Sequence, residues 1–366
     1  MVEGRWVWLG LMAACCGAGA WAQLPLNVHT PSATEYPAAE TGPITFDVVV
    51  TDHAGHPVSG LQASDFQVFD DRQPSPIIGF AAHAISPSTP DGGGVQSAIL
   101  MLDDVNASYR AIAIERGQIA KFLTANDGQL PVPTAIQMMT DTGVNTIAAA
   151  SQDGNALNAI LSQKAGQLHS LPRAGFYGAE ERLDISLSAI AGIASYETHV
   201  PGRKLLIWIS PGWAMFDNPN VMFGGKEQSQ FFNTIVSLST ALRQGQTTVY
   251  SVDPLGTWDA GSMRTFLWQS FERPVKKPGQ AQPGDLALQV FATHSGGRVL
   301  FASNDLAGEI AQCMADTRAW YALTFDPQRT DTADAWHSVE VKVDKPGLTV
   351  RTSNGYYAQP AMGGPQ

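Results

Sequence analysis

Cysteine is nearly missing. The 366-residue chain has three. Two of them, Cys15 and Cys16, sit in an apolar N-terminal stretch, and only Cys313 lies in the body of the chain. One thiol excludes an intramolecular disulfide and a cysteine-based metal centre. Basic clusters are also missing. Lys and Arg total 22 against 33 Asp and Glu, giving a net charge of −11. That balance argues against nucleic acid and against an anionic membrane surface. Beyond residue 22 no segment approaches the ~18 continuous apolar residues of a membrane span, so none is expected in the mature chain. There is no His-Glu-x-x-His, no Gly-x-Ser-x-Gly and no phosphate-binding glycine loop. The eight histidines are scattered. His53 and His56 bracket a turn, and His294 reads as a helix end.

What is present begins with a leader. Arg5, the apolar run Trp6 to Ala20 and the small-x-small Ala20-Trp21-Ala22 predict a signal peptide over 1–22, with Gln23 as the mature start. The protein is therefore expected to be exported, to a periplasm or outside the cell. Lipid anchoring at Cys15 is the competing reading, on a poor match to a lipidation signal. Residues 23–42 are rich in Pro, Ser, Thr and Ala and read as an exposed leader. Residues 43–83 alternate as a small β module, and 84–96, with Gly92-Gly93-Gly94, as a linker. Over 97–317, buried strands alternate with helices, which implies a doubly wound α/β domain around a parallel sheet. Pro131 and Pro133 read as a break before a strand at Ala135–Met139. Residues 318–358 return to β, and 359–366 form a tail. The two β segments are expected to pair as one sandwich beside the α/β core.

Chemistry concentrates after the strand Ile99-Leu100-Met101-Leu102, in Asp103-Asp104-Val105-Asn106-Ala107-Ser108. In open α/β sheets ligands sit at the carboxyl ends of strands. If the turn is extended, alternation aims Asp104, Asn106 and Ser108 the same way. Oxygen-only ligands suit Mg²⁺ or Ca²⁺. The competing reading is a helix N-cap, with Asn106 or Ser108 accepting from free backbone N–H groups. Asp103 and Asp104 are adjacent and are expected on opposite faces. Trp208 reads as core. Trp213, Trp258 and Trp268 follow strands and are read either as a partner-binding surface or as pins holding long loops.

Asp104-x-Asn106-x-Ser108 resembles the Asp-x-Ser-x-Ser start of the metal-ion-dependent adhesion site of von Willebrand factor A (VWA) domains. Further phrases resemble a bacterial, acidobacterial-type group of exported VWA-related proteins. They include Gly55-His56-Pro57-Val58, Ser64-Asp65-Phe66, Tyr250-Ser251-Val252-Asp253-Pro254, His294-Ser295-Gly296-Gly297 and Gly355-Tyr356-Tyr357. The resemblance implies a Rossmann-like VWA sheet flanked by β-sandwich-like segments. It implies recognition of a protein or cell-envelope ligand through the loops after residues 102, 209 and 253. It also implies a degenerate metal site at Asp104, Asn106 and Ser108. Ser210 stands where an Asp is usual, and Gly175-Phe176-Tyr177-Gly178 lacks an expected Thr. Two alternatives are a hydrolase using Asp104 with a metal-bound water and a purely structural envelope component.

Overall fold

The computed structural model describes residues 42–85, 96–163, 176–213, 223–258, 266–328 and 332–358. The expected signal peptide, tail, and most of the leader and linker lie outside the described residues.

The core is a six-stranded sheet in the order β10-β9-β8-β5-β6-β7. Its strands are β5 (Gln96–Asp103), β6 (Gln129–Thr140), β7 (Gly143–Asp153), β8 (Arg203–Ile209), β9 (Thr247–Val252) and β10 (Val299–Leu300). All pairings are parallel except β6 with β7. The apolar runs predict this. A strand covered on both faces needs no polar alternation, and every residue of β8 is buried. Alternate residues serve opposite layers. Ile99, Met101, Leu206 and Trp208 pack with α3 (Phe176–Glu197), α4 (Gly225–Gln244) and α5 (Leu288–His294). Leu100, Leu102, Leu205 and Ile207 pack with α1 (Tyr109–Thr124), α2 (Gly154–Gln163) and α6 (Leu306–Ala315). This is the doubly wound α/β arrangement expected. Cys313 is buried in the second layer, and burial pushes its thiol pKa far up.

One local expectation is corrected. Pro131 and Pro133 lie inside β6, at exposed positions. Pairing to β5 starts only at Thr134, and the β7 register jumps between Gln129 and Thr134, so the missing N–H groups cost no ladder bond. Extended backbone at Ala287 separates a tight turn, Pro283–Leu286, from α5. The last parallel strand is only two residues long. After α5, Gly296 takes φ +83°, which a helix stop requires, and a Cβ on Gly297 would lie 1.7 Å from the Val249 carbonyl.

The remaining strands are β1 (Ile44–Thr51), β2 (Phe66–Asp70), β3 (Gln73–Ser75), β4 (Ile77–Ala84), β11 (Ala319–Phe325), β12 (Trp336–Val343), β13 (Thr349–Arg351) and β14 (Gly355–Tyr357). They form two four-stranded sheets, β13-β1-β11-β4 and β14-β12-β2-β3. Each sheet mixes strands from both ends of the chain, as the pairing hypothesis requires. Phe46, Val48, Phe66, Val68, Tyr321, Leu323 and Val341 fill the space between them.

A buried charged network joins the β sheets to the α/β core. Asp316, after α6, is fully buried and accepts from Tyr250 Oη at 2.7 Å, Arg298 Nη2 at 3.4 Å and Arg351 Nη2. Arg203 Nη1 donates to the Asp316 carbonyl at 3.0 Å, and Arg203 Nε lies 3.7 Å from Asp47 of β1. The Arg203 guanidinium sits 5.2 Å from the ring centroid of Trp320.

Candidate functional site

β5 ends at Asp103, and the chain turns back at once. The N–H groups of Val105 and Asn106 donate to Asp103 Oδ1 at 3.1 and 2.8 Å, and Ala107 N–H donates to the Asp103 carbonyl at 3.3 Å. An Asp side chain mimicking a backbone turn thus replaces the extended turn. Asp104, Asn106 and Ser108 each face different partners.

Asp103 is the hub, and the sequence reading missed it. It is fully buried. Its Oδ2 accepts from Ser210 Oγ at 2.7 Å, Asn106 Nδ2 at 2.9 Å and Trp208 Nε1 at 3.2 Å. Asn106 Nδ2 also reaches Ser186 Oγ of α3 at 2.9 Å. Burial raises the Asp103 pKa, and the bonds from Asn106, Ser210 and Trp208 oppose that rise. The signal was present. Strand parity puts Asp103 with Ile99 and Met101 on the face of Trp208, and pairing of Leu102 with Ile209 sets Asp103 beside Ser210.

Asp104 takes the opposite face, as expected for its neighbour's partner. It is fully buried, and Arg116 Nη2 of α1 lies 3.8 Å from its Oδ2. Glu115 is also fully buried, and neither carboxyl oxygen has a hydrogen-bond partner among the described residues. Burial first, then the charges of Asp104 and Asp103, push the Glu115 pKa well up, against Arg116. Ser108 is the N-cap of α1 and accepts from Ala111 N–H at 3.2 Å. The N-cap reading describes Ser108.

These residues do not fit a Mg²⁺ or Ca²⁺ ion. A hard cation needs several oxygens converging on one point. Here Asp104 lies toward the Arg116 guanidinium on one face, while Asn106 and Ser210 gather on Asp103 on the other. The expected ligand set divides between two faces of the sheet. The tryptophans need a correction too. Trp213 is 1% exposed and packs edge-on against Trp208, with ring centroids 5.2 Å apart. Trp268 is buried as well. Both pin loops to the body. Trp258 closes the turn Gly256–Trp258, and its side chain lies outside the described residues.

The rim carries a further buried acid. Glu309 of α6 is raised to about 7 by burial, then by Asp253 and Asp305. Its folded pKa exceeds the ordinary 4.5. Its contribution to stability is therefore full below about pH 4.5 and lost as pH rises through about 7. Glu309→Gln should match wild type in thermal unfolding at pH 4 and exceed it at pH 8 by about 1–3 kcal/mol. Parallel pH profiles would contradict this.

A groove of about 590 Å³ runs between α3 and the β6–β7 hairpin. Ala189, Ile185, Ile193 and Val144 line it, with Gln137 and Tyr196. Tyr196 is 67% exposed and Val144 is 36% exposed. Gln137 Oε1 is buried without a hydrogen-bond partner among the described residues. β7 forms the edge of the sheet and pairs there with β6 alone among the described strands.

No family model matches the chain, and no curated protein does. Among solved structures it is similar to human COPII-coat protein Sec24c at 7% identity, with 73% of this chain and 44% of that chain covered and a TM-score of 0.34. The chain thus spans less than half of that Sec24c chain. It is similar to the manganese-loaded Plasmodium vivax TRAP protein at 9% identity, covering 75% of this chain and 96% of that chain, with a TM-score of 0.35. It is also similar to a D319A mutant of the PilB minor pilin from Streptococcus sanguinis at 10% identity, covering 61% of each, with a TM-score of 0.32. Likenesses of this degree carry no information on activity or ligand.

Proposed function

We propose that the chain is an exported recognition module of VWA-related type. It binds an extended apolar segment of a protein partner along the α3–β7 face. One observation carries this reading: a large aromatic, Tyr196, stands 67% exposed beside an apolar groove that borders an edge strand. An edge strand offers a row of backbone donors and acceptors to an incoming strand. The groove takes that strand's side chains. The loops after residues 102 and 209 lend less support. Asp103, Asp104 and Trp213 there are sealed. Export rests on the leader ending at Ala22.

The test is photo-crosslinking from a benzophenone amino acid at position 196, in the organism's envelope fraction. Position 78, where Ile78 is 56% exposed on β4, is the control. One discrete partner captured from 196 and not from 78, and lost on adding Val144→Asp, is expected. Equal capture from both positions would sink the proposal.

A further inference from the structure

The β2–β3 hairpin and β12 hold a second set of chemical groups, outside the six-stranded sheet. Asp70 ends β2, Asp71 opens the turn, and His337 is the second residue of β12. One carboxylate oxygen of each Asp and one ring nitrogen of His337 lie within 4.8 Å of one another. His337 Nδ1 is 3.4 Å from Asp70 Oδ1 and 3.2 Å from Asp71 Oδ2. Asp70 is fully buried and His337 is 7% exposed. Yet Asp70 Oδ1 and His337 Nδ1 have no hydrogen-bond partner among the described residues. Buried polar atoms rarely lack one without a reason.

The supporting bonds are divided in a telling way. Asp70 Oδ2 accepts from Tyr356 Oη at 2.8 Å and Gln328 N–H at 3.0 Å. Asp71 Oδ1 accepts from Ser338 N–H at 2.9 Å and Ser338 Oγ at 3.0 Å. Each carboxylate thus has one oxygen held by donors and leaves the other facing the imidazole. The ring is stacked on Tyr356, with centroids 5.0 Å apart and planes 11° apart. Asp71 and Arg72 both have positive φ, at 46° and 66°. That turn brings Asp71 back over β12. Outer donors that fix the ligands are the usual support of a metal site.

We infer that Asp70 Oδ1, Asp71 Oδ2 and His337 Nδ1 bind a divalent transition ion of the zinc class. One nitrogen and two oxygens suit Zn²⁺, Co²⁺ or Mn²⁺ better than Mg²⁺ or Ca²⁺. Asp71 is half exposed, which leaves the ion a side open to water or to a partner's carboxylate. The ligands come from the two ends of the chain, so the ion clips the N-terminal hairpin to the C-terminal strands. Its binding energy then adds to folding.

The test uses the full mature chain, stripped with chelator and titrated with Co²⁺ and Zn²⁺. One equivalent of Co²⁺ should give d–d absorption, displaceable by Zn²⁺, and Zn²⁺ should raise the unfolding midpoint. Asp71→Asn, a surface change, should fold normally and weaken Zn²⁺ binding by about tenfold or more. His337→Gln should abolish the Co²⁺ spectrum. Two results would overturn the inference: no binding at millimolar metal, or binding that both variants leave unchanged. The second means that the ion binds elsewhere on the chain.

Discussion

Asp316→Ala should cost about 3–5 kcal/mol of folding stability, the range for stripping one partner from a buried ion cluster. Asp316 is fully buried, with Tyr250, Arg298 and Arg351 on its carboxylate. Alanine would leave two guanidinium groups and a phenol facing a cavity with no acceptor. The loss is large against the ~5–15 kcal/mol that holds a typical domain together. Asp316→Asn keeps the shape and loses the charge, so it should cost less. Urea denaturation of the three chains checks the order. A loss below about 1 kcal/mol for alanine would mean that water already reaches the cluster.

Asp103→Ala should be nearly as damaging, at about 3–4 kcal/mol. The variant would orphan two backbone N–H groups, the Trp208 indole N–H and the Ser210 hydroxyl in one step. Asp104→Asn should cost less, because Asp104 meets Arg116 at the long distance of 3.8 Å. The ranking matters more than either value. It separates the carboxylate that ties β5 to β8 and α3 from the one that the motif resemblance singles out. Equal losses would place the organising charge on both.

The doubly wound core was legible because burial on both faces writes itself as unbroken apolar runs, such as Leu205-Leu206-Ile207-Trp208-Ile209. The pairing of the two β segments was legible from composition and alternation. Short strands were not. Gln73–Ser75 and Gly355–Tyr357 have three residues each, too few for a period, and exist because longer neighbours offer an edge. The site was the least legible. Spacing says which residues alternate only if the chain stays extended. The Asp103 carboxylate draws two N–H groups onto itself and curls the chain, which scatters Asp104, Asn106 and Ser108. Trp213 was misplaced for a related reason. A loop residue after a strand can still fold back onto the sheet, as it does onto Trp208. The Asp70–Asp71–His337 group joins residues more than 260 positions apart, and no local pattern announces it.

Asp103, Asn106, Trp208 and Ser210 bond one another at the carboxyl end of the sheet, and we propose that no hard cation binds there. Denaturant unfolding of wild type and Asp104→Asn, each with and without millimolar Mg²⁺ or Ca²⁺, addresses it directly. Both chains should show the same small cation response. A saturable stabilisation of wild type that Asp104→Asn abolishes would contradict it.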